Sequence, residues 1–156
     1  MHPNKIPFYG VVAFLGTQSN KMLAGSRGRR IILHEDVAKN AISTLLETGV
    51  SYSSLFDKHD VQKKIGVVTW VGIIEKELCI AGHLFGKDFP EVLDVITTNS
   101  SSVTSTSLGL SFEATDVCLA NASARIWEIT KLTFTGVAVI RRDKAAYSNT
   151  WIELDK

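Results

Sequence analysis

Two short segments of this chain carry the residue types of nucleophilic catalysis. The first, Phe56-Asp57-Lys58-His59-Asp60, puts an imidazole in a polar turn just ahead of the apolar run Ile65-Gly66-Val67-Val68. The second, Leu108-Gly109-Leu110-Ser111-Phe112-Glu113, sets a serine inside an apolar strand, after a glycine that lets backbone approach closely. A serine hydroxyl is a poor nucleophile until a base takes its proton, and an imidazole within hydrogen-bond reach is the usual base. His59 and Ser111 lie far apart in the chain, so any pairing is tertiary. Taken alone, the two residues fit a surface histidine and an ordinary strand serine better than a catalytic pair. The remaining histidines, His2, His34 and His83, show no zinc-binding spacing, and no glycine-rich phosphate loop is present. No metal or cofactor is expected. Arg27, Arg29 and Arg30 read as a solvated basic turn.

The elements that must position these residues are mostly strands. Period-two alternation and short β-branched runs predict strands at 6–15, 31–33, 65–74, 78–85, 108–114, 125–130, 132–140 and 150–154. Val37, Ala38, Ala41, Ile42, Leu45 and Leu46 make an apolar stripe at helical spacing, with Glu35 and Asp36 at its start and Gly49 as its stop. A second, shorter helix is expected after Asp88, with Pro90 in its first turn and Val92, Leu93 and Ile96 facing inward. Thr97 to Ser107 is almost wholly Ser, Thr and Asn, which predicts a mobile loop. The fold class is therefore α+β and β-rich, in a single domain over residues 1–156.

Composition agrees with that class. Of the 156 residues, 45% are hydrophobic and 21% charged, which excludes wholesale disorder, collagen-like repeats and coiled coils. Seventeen basic residues against sixteen acidic ones leave a charge of +1, so nothing electrostatic argues for nucleic acid or an acidic membrane. No apolar run is long enough to span a bilayer, and MHPNKIPFYG lacks the order of a secretory signal. Cys79 and Cys118 are read as small buried side chains in a reducing compartment.

The order KHD, then IGVV, a strand pair, a helix and LGLSFE resembles the prohead (capsid-maturation) serine proteases of tailed bacteriophages. The resemblance runs over about residues 6–154 and continues into Leu132-Thr133-Phe134-Thr135-Gly136-Val137-Ala138-Val139 and Arg141-Arg142-Asp143. It implies the herpesvirus assembly-protease fold, a β-barrel of mainly antiparallel strands flanked by a few helices. It implies Ser111 as nucleophile, His59 as general base, and Arg141 and Arg142 as oxyanion-hole candidates. The implied substrates are scaffold and major capsid polypeptides, cleaved inside the assembling prohead in the bacterial host cytoplasm, with a homo-oligomeric enzyme and no nucleic-acid or membrane partner. The rival is a non-catalytic head or scaffold interaction module on the same fold.

The resemblance puts the third catalytic group at Thr133, where phage relatives often carry an acid. Thr133 can orient His59 only weakly, because a hydroxyl accepts a hydrogen bond without supplying charge. Asp57, Asp60, Glu113, Asp116 and Glu128 are the acids that could serve instead.

Overall fold

The computed structural model of the chain describes residues 2–22, 26–99 and 107–155. Its elements are strands β1 (Lys5–Phe14) and β2 (Ile31–Leu33), helix α1 (Glu35–Ala41), strands β3 (Gly49–Tyr52), β4 (Lys64–Ile74) and β5 (Glu77–Phe85), helix α2 (Pro90–Asn99), and strands β6 (Leu108–Leu119), β7 (Trp127–Arg141) and β8 (Trp151–Leu154). The strands form one sheet in the order β2-β7-β3-β4-β5-β1-β8, with β6 on the other edge of β7. The sheet curls into a half-barrel, which gives a β-rich α+β domain. Among the described residues no helix is long and apolar enough to cross a membrane.

Strand β7 organises the half that matters here. The sequence suggested two strands, yet 127–141 is continuous: Thr130 and Lys131 are both exposed, so the buried positions slip from odd to even there without ending the strand. One edge of β7 carries β6, antiparallel from Leu108↔Arg141 to Leu119↔Ile129. The other edge carries two short parallel strands, β2 against Trp127–Ile129 and β3 against Gly136–Val139. Val137 and Val139 point into the main core with Leu110, Phe112, Phe134 and Leu45. The Phe112 and Phe134 rings meet edge-on at 5.5 Å. Burying each such side chain contributes about 1.5–3 kcal/mol. Gly136, Ala138 and Ile140 alternate with them and face the opposite side of the sheet.

Strands β4 and β5 form the expected hairpin, closed by Glu75 and Lys76 at φ 50° and 66°. Both residues take the left-handed conformation that a two-residue turn of this hand requires. Several expectations need correction. Helix α1 ends at Ala41 and tightens into a 3₁₀ turn at Ile42–Leu45; Glu47, at φ 64°, makes the exit. Gly49 is therefore the first residue of β3, a strand whose four residues are too few to show a period. Asp88 accepts a hydrogen bond from Asn4 Nδ2 at 3.0 Å and lies ahead of α2, outside the cap position. Val92 and Ile96 are buried as read. Of the predicted mobile loop 97–107, Thr97–Asn99 instead close α2 and Ser107 is buried, while 100–106 lie outside the described residues. The cysteines are both free thiols, but Cys118 is exposed and Cys79 only half-buried.

Gly109 fixes how closely β6 lies against the chain before β8. A Cβ there would overlap the Thr150 hydroxyl and stand 3.0 Å from the Thr150 carbonyl oxygen. The same hydroxyl accepts the Leu110 N–H at 3.1 Å. Gly109→Ala is expected to cost about 1–3 kcal/mol through overpacking. The thermal midpoint should then fall by several degrees, at roughly 2–4 °C per kcal/mol for a chain of this size. An unchanged midpoint in a scanning calorimeter would show that β6 yields instead.

Candidate active site

Period two along β6 puts Ser111 and Glu113 on the same face, away from the main core. The register then builds two rows across three strands. Ser111 stands beside Ala138 of β7 and, beyond it, Ser51 of β3; Glu113 stands beside Gly136 and, beyond it, Gly49. The centre of this face is thus made of glycine, alanine and serine. That floor leaves room for a carboxylate to lie down on the sheet. A Cβ on Gly136 would stand 2.6 Å from Glu113 Oε1.

His59 reaches the same place from the loop between β3 and β4. The loop is closed at its base by the Tyr52 N–H on the Lys63 carbonyl, 3.2 Å. Ser53 Oγ donates to Asp57 Oδ1 and accepts the Asp57 N–H, both at 3.1 Å, which is the local turn chemistry of Ser and Asp. Phe56, at φ 53°, packs its ring on Tyr52, while its carbonyl accepts the Arg141 N–H at 2.8 Å. The loop is thereby tied to the end of β7.

His59 Nδ1 lies 3.1 Å from Glu113 Oε2, with the histidine side chain 27% exposed and the carboxylate 9% exposed. An ionised carboxylate only accepts, so Nδ1 carries a hydrogen, and in the neutral ring it is Nε2 that keeps the lone pair. Ser51 Oγ stands 3.4 Å from the same Oε2 and 3.3 Å from the Val137 carbonyl. Glu113 Oε1 is buried and has no hydrogen-bond partner among the described residues. Leaving an acceptor in that state costs about 1–3 kcal/mol, a cost the His59 contact offsets only at the other oxygen.

Ser111 is 2% exposed. Ser111, His59 and Glu113 all line one groove of about 700 Å³. Among the described residues no hydrogen bond joins the Ser111 hydroxyl to the His59 ring; the two share the groove without touching through a proton. Candidate catalytic pairs are often loose before substrate binds.

The other predicted residues stand elsewhere. Thr133 lies opposite Thr115 on the β6–β7 ladder, outside the groove lining, so the place on His59 belongs to Glu113. The reason is the parity of β6: Glu113 is two residues from Ser111 on its own strand and needs no second strand to bring it there. Arg141 is held by Asp143 through Nε at 3.0 Å and a second nitrogen at 2.7 Å. Arg142 has a buried Nε with no hydrogen-bond partner among the described residues and donates its backbone N–H to the Ser107 carbonyl. Neither arginine lines the groove, so the oxyanion-hole expectation finds no support in their placement. Of the remaining acids, Asp57 holds Ser53 and Asp60 accepts the Gln62 N–H. Asp116 lies at φ 52° within a bulge of β6, and Glu128 pairs with His34 at the exposed surface, 3.0 Å. Ser51, Gly49 and Gly136 were missed in the sequence. Gly136, isolated inside a strongly apolar strand, was the readable sign that another group approaches there.

Among the described residues no three His, Cys, Asp or Glu side chains gather to hold a metal ion. No protein-family model matches the chain, and no curated protein sequence does. Fold and site therefore define its class by themselves: a β-rich half-barrel carrying a histidine–carboxylate pair and a buried serine in one groove.

The Glu113 contact fixes the His59 tautomer, and this is measurable. Nitrogen NMR of the imidazole should report Nδ1–H in the parent chain and a shift toward Nε2–H in Glu113→Gln and Gly136→Ala, the latter because its methyl displaces the carboxylate. The same pattern in all three chains would sink the contact. A second outcome concerns acid stability. The paired Arg141 guanidinium holds the Asp143 carboxyl below its ordinary 3.8. A depressed carboxyl contributes stability above its unfolded value and loses it as pH falls through the folded one. Asp143→Asn should be less stable than the parent at neutral pH, and the gap should shrink below about pH 3.8 in pH-resolved melts.

Proposed function

We propose that the chain is a serine endopeptidase, with Ser111 as nucleophile, His59 as general base and Glu113 as the group that orients and charges the base. The observation that carries the reading is the His59 Nδ1–Glu113 Oε2 contact of 3.1 Å in the groove that also holds Ser111. A carboxylate on Nδ1 leaves Nε2 as the proton acceptor and stabilises the imidazolium once a proton arrives. Ser111 Oγ bonds to the peptide carbonyl carbon while its proton passes to Nε2. That proton then goes to the departing amine as the C–N bond breaks, and water, deprotonated by the same nitrogen, releases the acyl group.

The oxyanion needs N–H donors near Ser111. The Leu110 N–H points to Thr150, away from β7, so by strand alternation the Phe112 N–H also faces the outer edge of β6. Phe112 lines the groove, and its amide is the donor we assign in place of Arg141 and Arg142. Such a donor contributes about 3–4 kcal/mol to the transition state in a comparable site.

The resemblance to prohead proteases supplies the setting. The half-barrel suits the herpesvirus assembly-protease fold, and the substrates would be scaffold and capsid polypeptides within a phage or prophage head, processed by a homo-oligomer. High local substrate concentration there suits a serine that meets its base only on binding. A second reading, an interaction module that keeps the fold, is favoured by one observation: Ser111 is buried and not hydrogen-bonded to His59.

A fluorophosphonate probe separates the two. Labelling mapped to Ser111 is expected in the parent chain and none in Ser111→Ala. The labelling rate should fall by up to ~10⁶-fold in His59→Ala and ~10⁴-fold in Glu113→Gln, by analogy with triad dissection elsewhere. A folded parent chain that takes no label at Ser111 is the interaction module.

A further inference from the structure

The groove extends well past the residues assigned to chemistry. Its charged lining side chains, Asp57, Lys58, His59, Glu113 and Lys144, flank the Ser111 end. Away from Ser111 along β6 and β7 the lining is Ile31, Val117, Leu119, Trp127 and Ile129, with Met22 and Ser26 from the β1–β2 connection, and among the described residues this arm holds no charged lining side chain. A volume of about 700 Å³ lies within the range of sites that enclose a ligand group.

The arm is built by two irregularities. Between Thr115 and Cys118 the β6 register slips against β7, and Asp116 takes φ 52°. The bulge leaves Val117 unpaired and 44% exposed, and it lines the groove. Trp127 lines the groove as well, and its indole is held in place. Its Nε1–H donates to the Ala122 carbonyl at 3.1 Å, and the Arg29 guanidinium lies 5.2 Å from its ring centroid. Arg29 is itself held by the Ala124 carbonyl at 3.0 Å. Both polar partners of the indole are thus satisfied, and what it offers the groove is apolar surface. An exposed valine at a bulge, in the same groove lining as a braced tryptophan, is apolar area left in water until something covers it.

Resting on the endopeptidase reading, we infer that this arm is a specificity subsite that takes a large uncharged apolar side chain of the polypeptide substrate, close to the bond cut at Ser111. The occupant follows from continuity and from charge. The arm and Ser111 belong to one groove, so a chain seated at Ser111 can project a nearby side chain into the arm. A charged side chain there would meet no charged lining residue among the described ones, since Arg29 stands outside the lining, and its desolvation would count against binding.

The test has a binding arm and a cleavage arm. Peptide pools that differ at one position (Leu or Phe against Ser or Asp) are titrated onto the Ser111→Ala chain, reading the Trp127 indole N–H signal by NMR. The Leu and Phe pools should shift it and the Ser and Asp pools should not. Val117→Asp, an exposed bulge position that the fold tolerates, should reverse or abolish the discrimination. In the parent chain, cleavage next to Leu or Phe should exceed cleavage next to Ser by tenfold or more, within the range one apolar pocket gives. The ratio should fall at least fivefold in Val117→Asp. Equal shifts from all pools, or a preference that Val117→Asp leaves intact, would overturn the subsite. Failure of Ser111 to take the fluorophosphonate would overturn the endopeptidase reading alone, because indole shifts do not depend on chemistry.

Discussion

A carboxylate can lie against the face of a β-sheet only where the strand beneath it gives up its side chain. In this protein that strand is β7, and the place is Gly136. The cross-strand register seats Glu113 on it from one side and Gly49 from the other. The contact to His59, and the Nε2 it leaves open toward the groove, depend on that one vacancy. Any side chain at position 136 would lift the carboxylate, and the loop carrying His59 would lose the partner it closes onto.

Two histidine–carboxylate pairs among the described residues show what burial adds. His34 and Glu128 meet at 3.0 Å, but their side chains are 44% and 53% exposed, and water screens the pair. His59 and Glu113 meet at almost the same distance with the carboxylate 9% exposed. Screening is weaker there, so the carboxylate acts on the imidazole with more of its charge. The buried pair also carries a desolvation cost, since Oε1 has no donor among the described residues. Sites that persist with an unmet acceptor are those where the surrounding fold over-determines the position. Three strands and a tied loop do so here.

Much of the scaffold was legible because long strands advertise themselves. Strands β1, β4 and β5 each run nine residues or more, long enough for alternation to emerge, whereas β6 was read only to 114 and runs on to Leu119. Short elements carry no such signal: β3 has four residues, and only tertiary pairing makes it a strand. The end of α1 was misplaced for a related reason, because Glu47 occupies a backbone conformation that sequence assigns to glycine. His59 and Ser111 could be singled out by type and setting. Glu113 stood among five candidate acids, and the parity of β6 already put it on the face of Ser111, whereas Thr133 was chosen by linear correspondence. Nothing local in the sequence marks Ser51 or the groove arm, since each arises from strands paired across long loops.

Strand β7 also constrains how the chain can vary over generations. One edge of it holds β6 and the other holds β2 and β3, each in its own register. Inserting or deleting a single residue between the β2 and β3 segments would reverse facing for everything downstream, moving Val137 outward and Thr135 or Val137 beneath the carboxylate. The connection at residues 120–126, by contrast, joins β6 to β7 outside most of that pairing and lies largely at the surface. Length changes in a lineage of such chains would therefore collect in that connection, while β7 would drift by substitution only and keep its count of residues.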